Sequence, residues 1–327
     1  LAAFHKIMLN TLSRSFRHVT ILPGDQATYL ATDDHSALSF DAQVPAQRYL
    51  AGAAELPFFH PAMFPIHLDS LRIAAFSARL AAHPSRQLNR DFRPISYLYD
   101  FLIWHKAVAG SPSALLRLFA LPFWAVISAA TLALLLLFRA VKRRAAKRAS
   151  FPVLFAAGAV GFALMTTNLI LMLVFQTLFG YIYAWISLVI AAFMTGMAVG
   201  SGITNHRLNR VQSLPALRIV LSVLLIGSAL ILPASLLCRR LDSMPLFAVL
   251  VFGVGLTGGI LFALLCGWFR TVNGVGDVGG IYAADVFGGS AAALLLSAFM
   301  VPVYGFGATM LLCAVVVIFA LLLTFNR

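Results

Sequence analysis

Apolar residues fall along this chain in two regimes. Up to about residue 110 they recur at short periods among polar positions. From Ser111 onward they run on in segments of 18 or more, the length a helix needs to cross about 30 Å of hydrocarbon. In residues 1–17, Phe4, Ile7, Met8, Leu12 and Phe16 keep helical spacing and predict an amphipathic helix. Two β-rich runs, 19–22 and 28–31, flank Pro-Gly-Asp-Gln and predict a β-hairpin. Helices are expected over 43–53 and 66–82. An aromatic-rich helix carrying Tyr97, Leu98, Phe101, Leu102 and Trp104 follows, its stripe read as packing or as a membrane-surface face. The long runs predict seven spans, at 115–138, 151–176, 181–203, 214–237, 245–269, 281–301 and 306–325. The expected fold class is therefore mainly α: residues 111–327 form a polytopic helical membrane bundle, and residues 1–110 supply the helix and hairpin that end an α/β domain.

Composition agrees with this division: 61% of residues are hydrophobic and 11% charged, against roughly a quarter charged in soluble domains. The net charge of +13 is unevenly spread. Residues 1–150 hold 17 of the 24 Lys and Arg and 8 of the 11 acids, and beyond Ser150 the only acids are Asp242, Asp277 and Asp285. Basic residues beside spans orient a protein in a bilayer, whereas a nucleic-acid site needs a basic face on a soluble fold, so the expected partner is lipid and not nucleic acid. The cluster Lys142, Arg143, Arg144, Lys147, Arg148 predicts a cytoplasmic loop, and counting spans puts Arg207, Arg210, Arg270 and Arg327 on the same side; Arg239 and Arg240 run against the rule. By that count residues 1–110 lie outside the cytoplasm. Cys238, Cys266 and Cys313 lie in or beside apolar runs without metal or disulfide spacing. The chain opens on Leu1 without signal-peptide character and reads as the C-terminal fragment of a longer protein.

Few residues carry chemistry. Residues 274–279 match G-x-G-x-x-G, but a dinucleotide fingerprint requires a preceding strand in a βαβ unit, and here an apolar span precedes it, so the stretch is read as a loop. Asp285 sits about one turn into an apolar helix. A carboxylate there is either functional, because its desolvation is costly, or a residue satisfied by the helix N-terminus and interfacial water. Asn168 and Gln176, eight residues apart in one span, share a face and read as interhelical glue or as the lining of a cavity. Gly196 with Gly200, and Gly255 with Gly259, are small-xxx-small pairs that predict close helix contact. The eight histidines all lie outside the spans, without metal spacing or a nucleophile–base–acid set, so no catalytic, cofactor-binding or metal residue is assigned.

Four stretches together resemble the membrane-embedded spermidine synthase-like family, in which a polyamine-synthase domain is joined to hydrophobic bundles. FRHVTILPGDQATYLATDD is similar to the closing hairpin of the synthase's methyltransferase-like fold. LNRDFRPISYLYD resembles the family's Asn-x-Asp-x-x-Pro-x-x-Tyr segment before the spans, here Asn89, Asp91, Pro94 and Tyr97. FQTLFGYIYAWISLVIAAFMTGMAVGSG and GGIYAADVFGGSAAALLLSAFMVPVYG resemble two of its span phrases. The resemblance implies a parent that transfers an aminopropyl group from decarboxylated S-adenosylmethionine to a diamine in polyamine biosynthesis, anchored in a bacterial inner membrane. It also implies that a Gly-Gly-Gly-Asp-Gly cofactor loop and an Asp that accepts the amine proton lie upstream. Neither is among these 327 residues, so the implied partner of the chain is the upstream part of the same protein and the fragment alone is not expected to catalyse. A cytosolic cofactor places residues 1–110 inside, opposite to the charge count. The alternatives are a transporter or permease half-bundle and a non-catalytic membrane anchor or assembly protein.

Overall fold

The computed structural model describes the chain apart from residues 1, 25–26, 35–38, 40, 53–58, 100–101, 104–120, 146–149, 181–182, 208–212, 241–242, 274–278 and 326–327. It divides into two units, Leu1–Arg90 with Pro94–Gly110, and Asp91–Arg93 with Ser111–Arg327. The 274–279 glycine motif and the expected position of Trp104 lie largely outside the described residues.

The first unit begins with helix α1 (Ala2–Leu12) and an antiparallel hairpin of β1 (His18–Leu22) and β2 (Thr28–Thr32), in the register His18↔Thr32, Thr20↔Leu30, Leu22↔Thr28. The turn chemistry therefore predicts the strands to within a residue. α1 is shorter than its periodicity, because turns over residues 13–15 end it and the Arg17 N–H donates to Asp33 Oδ1 (3.0 Å), drawing the chain onto the hairpin. Helix α2 (Gln43–Ala51), a 3₁₀ turn (Pro61–Met63), α3 (Phe64–His67) and α4 (Ser70–Ala81) follow. The expected single helix over 66–82 is two: Asp69 Oδ1 accepts the N–H groups of Leu71 (2.9 Å) and Arg72 (3.3 Å), and this cap restarts the helix at Ser70. Ile7, Ile21 and Leu80 are each at most 1% exposed and join α1, β1 and α4 into one small core.

The second unit holds long helices: α5 (Phe123–Ala145), α6 (Phe151–Phe179), α7 (Tyr183–Arg207), α8 (Ser213–Arg240), α9 (Met244–Asn273), α10 (Gly279–Leu295) and α11 (Val301–Phe325), the last two joined by a π-helical turn, Leu296–Met300. Among the described residues, five stretches are long and apolar enough to cross a membrane: Phe123–Val141, Phe151–Phe179, Trp185–Arg207, Met244–Val272 and Val301–Leu322. α8 and α10 contribute shorter apolar stretches, Pro215–Leu224 and Gly279–Leu295. The chain is an integral membrane protein. The 115–120 part of the expected 115–138 run lies outside the described residues; α5 begins at Phe123, where Pro122 disfavours helix at Leu121 and its carbonyl accepts the Ala125 and Val126 N–H groups of the first turn. At the other end α5 runs on through exposed Arg143, a cation suited to a helix C-terminus.

α6 is the axis of this unit and packs on all six other helices. Its apolar window is 61% buried against 11% for α5 and 22% for α7, which makes α6 a core helix and leaves those two mostly facing outward. Gly305, at φ 85° and ψ 178°, interrupts α11. Beyond it the chain reverses: Phe306 shares a buried cluster with Ile170 and Val174, the Cys313 thiol lies 3.7 Å from the Ala163 carbonyl, and Ala320 shares a cluster with Ala159, so 306–325 runs antiparallel to α6. α10 runs parallel to α6, with Gly280 beside Leu154 and Gly289 beside Met165.

α7 and α9 interlock through the four predicted glycines. A Cβ added at Gly196 would stand 2.3 Å from the Phe252 carbonyl oxygen, at Gly200 2.2 Å from that of Leu256, at Gly255 2.1 Å from that of Phe193 and at Gly259 2.1 Å from that of Met197. Backbone touches backbone along two turns, a contact that any larger residue prevents.

Candidate functional site

A second glycine crossing, between α6 and α10, carries Asp285. A Cβ at Gly288 would stand 1.9 Å from the Gly158 carbonyl oxygen. One at Gly161 would stand 2.1 Å from the Asp285 carbonyl oxygen and 2.8 Å from its Oδ1. The Asp285 main chain and carboxylate thus lie directly on Gly161. Beside them opens a cleft of about 330 Å³ lined by Gly161, Met165, Phe193, Met197, Asp285 and Ser290, among others. Among the described residues no Lys, Arg or His lines it, and the charged and polar side chains there are the Asp285 carboxylate and Ser290. A group of this kind can hold a proton or receive a small cation entering between α6, α7 and α10.

The other two intramembrane candidates do not join Asp285 in that cleft. Asn168 is seven residues beyond Gly161 on α6, on the same face within about 20° and about 10 Å further along the axis. Among the described residues its Oδ1 is buried without a hydrogen-bond partner. Gln176 lies in the last turn, where its main-chain carbonyl accepts the Gly180 N–H (3.0 Å). One α6 face therefore carries the polar residues, spread over different depths.

The juxtamembrane residues hold structure together. In the first unit Asn89 Oδ1 accepts the Ser96 N–H (3.1 Å), the Asn89 N–H donates to Thr11 Oγ1 (2.9 Å), Pro94 is buried and its carbonyl accepts the Tyr97 N–H (3.2 Å). Asp91 is exposed. In the second unit Asp91–Arg93 forms a strap on the Gly305 reversal. The Phe306 N–H donates to the Phe92 carbonyl (2.9 Å), Arg93 Nε donates to the Val303 carbonyl (3.0 Å), and the Phe92 and Phe306 rings meet edge to face at 5.7 Å. The strap also needs glycine at 305, where a Cβ would stand 2.6 Å from the Phe92 carbonyl oxygen. Nothing in the sequence pairs Phe92 and Arg93 with Gly305; the Pro and Gly punctuation at 302–305 marks a turn without naming what seats on it.

In the first unit His5 Nδ1 and the Tyr29 hydroxyl are 2.6 Å apart, within a ring cluster that includes Phe76. Burial holds His5 below its ordinary 6.5, pushes Tyr29 up to about 12 and raises Tyr99. Among the described residues no three His, Cys, Asp or Glu side chains converge as a metal site. Comparison with protein-family models, with curated proteins and with solved structures finds no match.

Proposed function

We propose that this chain is the membrane portion of a spermidine synthase-like protein of a bacterial inner membrane. In this reading the first unit is the closing end of a methyltransferase-like catalytic domain and the second is a seven-span bundle, with α8 and α10 joining the five long apolar helices. The observation that carries it is the strap. Two of the four stretches that bear the resemblance meet there, the 88–100 segment through Phe92 and Arg93, and the 279–305 phrase through its 303–305 end. The chain's own residues then anchor the domain: the strap ties the segment leaving it to the reversal between two spans. The reaction belongs to residues upstream. There a diamine nitrogen attacks the propyl carbon beside the sulfonium of decarboxylated S-adenosylmethionine; the C–N bond forms, the C–S bond breaks with its electron pair kept by sulfur, and the amine proton passes to an upstream Asp.

The test is aminopropyl transfer by the full-length parent in native membranes, followed by mass spectrometry with putrescine and decarboxylated S-adenosylmethionine. Transfer that is lost when the upstream Asp is replaced supports the reading, and a parent sequence without a glycine-rich acidic loop, or without transfer, refutes it. The Asp285 cleft favours one second reading, a transport half-bundle. That reading requires Asp285→Asn to abolish cation flux in reconstituted vesicles while the protein stays folded.

A further inference from the structure

We propose that the first unit contains a binding site for a phosphate-bearing anion, independent of the reading above, in the cleft between α1 and the segment that follows α4. The cleft encloses about 610 Å³, within the range of small-molecule sites. One wall is α1 and the turn that ends it: Lys6 and Asn10 stand four apart on α1, and Ser13 and Arg14 follow in the turn. The other wall runs from Ala81 to Leu88 and brings His83, Ser85 and Arg86. Among the described residues no acid lines the cleft, so Lys6, Arg14 and Arg86 bring three positive charges without a compensating carboxylate there. The negative end of the α1 dipole is worth about half a charge, so it balances one of the three at most.

The walls are held by the floor and not by the cations. Asn10 Nδ2 donates to the Ser85 carbonyl (3.0 Å) and toward that of Gln87 (3.4 Å), and the Asn89 N–H donates to Thr11 Oγ1. His83 Nδ1 accepts the Ser85 N–H (3.3 Å), which leaves the proton of a neutral ring on Nε2 as a further donor. Ser85 Oγ accepts the Gln87 N–H (3.4 Å) and retains its own O–H to donate. Two guanidinium forks, an ammonium, an imidazole N–H and hydroxyls around a cavity without acids match the acceptor geometry of a phosphate group. The source is either a soluble phosphate compound or the headgroup of an acidic phospholipid.

Isothermal titration of the full chain in neutral detergent micelles distinguishes them, with inorganic phosphate as one probe and dihexanoyl phosphatidylglycerol as the other. Saturable binding is expected, weakened at least about tenfold in Arg14→Gln/Arg86→Gln and falling as salt rises. The control Arg72→Gln/Arg79→Gln removes the same charge from α4 outside the cleft and is expected to leave affinity unchanged. Tighter binding of the lipid than of phosphate assigns a headgroup site; equal or tighter binding of phosphate assigns a soluble ligand. The proposal is overturned if neither probe saturates, or if the control weakens binding as much as the cleft variant while circular dichroism shows both folded.

Discussion

A methyl group at Gly255 tests whether α7 and α9 are held by backbone contact. It would stand 2.1 Å from the Phe193 carbonyl oxygen and 3.1 Å from Phe193 Cα, whereas ordinary contact begins near 3.4 Å, so the helices must part by 1.3 Å at that point. A gap of about 1 Å forfeits a quarter to a half of each dispersion contact along the crossing, and overpacking of this kind costs about 1–3 kcal/mol. Two residues earlier on the same helix, exposed Gly253 has nothing within 4 Å of an added Cβ. Alanine there meets no neighbour and gains up to about 1 kcal/mol of helix propensity. The two substitutions add the same atom to the same helix and share that propensity gain, yet should differ by the overpacking cost of about 1–3 kcal/mol. At roughly 2–4 °C per kcal/mol for a domain of this size, Gly255→Ala is expected to melt several degrees below the wild type and Gly253→Ala at or above it. Thermal unfolding in detergent, read by circular dichroism with size exclusion to confirm the starting state, measures both. The reasoning fails if Gly255→Ala melts within about 1 °C of the wild type, or if both variants fall equally.

Gly180 and Gly305 share one glycine-only conformation, at φ 84° and 85°, but a Cβ at Gly180 meets nothing, while one at Gly305 would strike the Phe92 carbonyl oxygen. Gly180→Ala should lose only the backbone strain of about 1–3 kcal/mol and Gly305→Ala distinctly more; equal melting points would mean the strap contributes nothing. Asp285→Asn is expected to raise the melting point, because the helix dipole returns only about 0.3–1 kcal/mol of a larger desolvation cost. A clear fall would reveal a partner that holds the carboxylate. In the first unit His5 stays below its ordinary 6.5, so the folded state binds fewer protons than the unfolded one, and stability should decline as pH falls through 6.5. Tyr29, pushed up to about 12, holds its proton longer when folded, so its contribution is present below pH 10 and lost as pH climbs from 10 toward 12. Histidine NMR and tyrosinate absorbance read these midpoints, and a His5 midpoint at or above 6.5 contradicts the burial argument.

What the sequence made legible is what short-range chemistry decides. The hairpin follows from a turn and two alternating runs, the long helices from hydrocarbon length, and the α7–α9 crossing from glycines four apart, which recur on one helix face. Asp69 shows a local signal overlooked: an acid just before Ser70 and Leu71 caps a helix, and the apolar period of 66–82 concealed the break. The strap was not legible in the same way, since Arg93 and Val303 are 210 residues apart and nothing local in either names the other. The α6–α10 crossing failed for a subtler reason. Its glycines on α6, Gly158 and Gly161, are three apart, so a search at four passes over them; yet i and i+3 also share a helix face, and the partner backbone runs across both. The sequence leaves Asp285 open between a residue of the helix terminus and a functional acid. The structure sets Asp285 six positions after Gly279, past the first turn in which a helix terminus stabilises an acid, and presses it against Gly161 at the edge of a cleft that no described cation lines. The glycine therefore determines how much solvent the carboxylate loses, and a change at Gly161 should alter the properties of Asp285 before it alters those of any other residue.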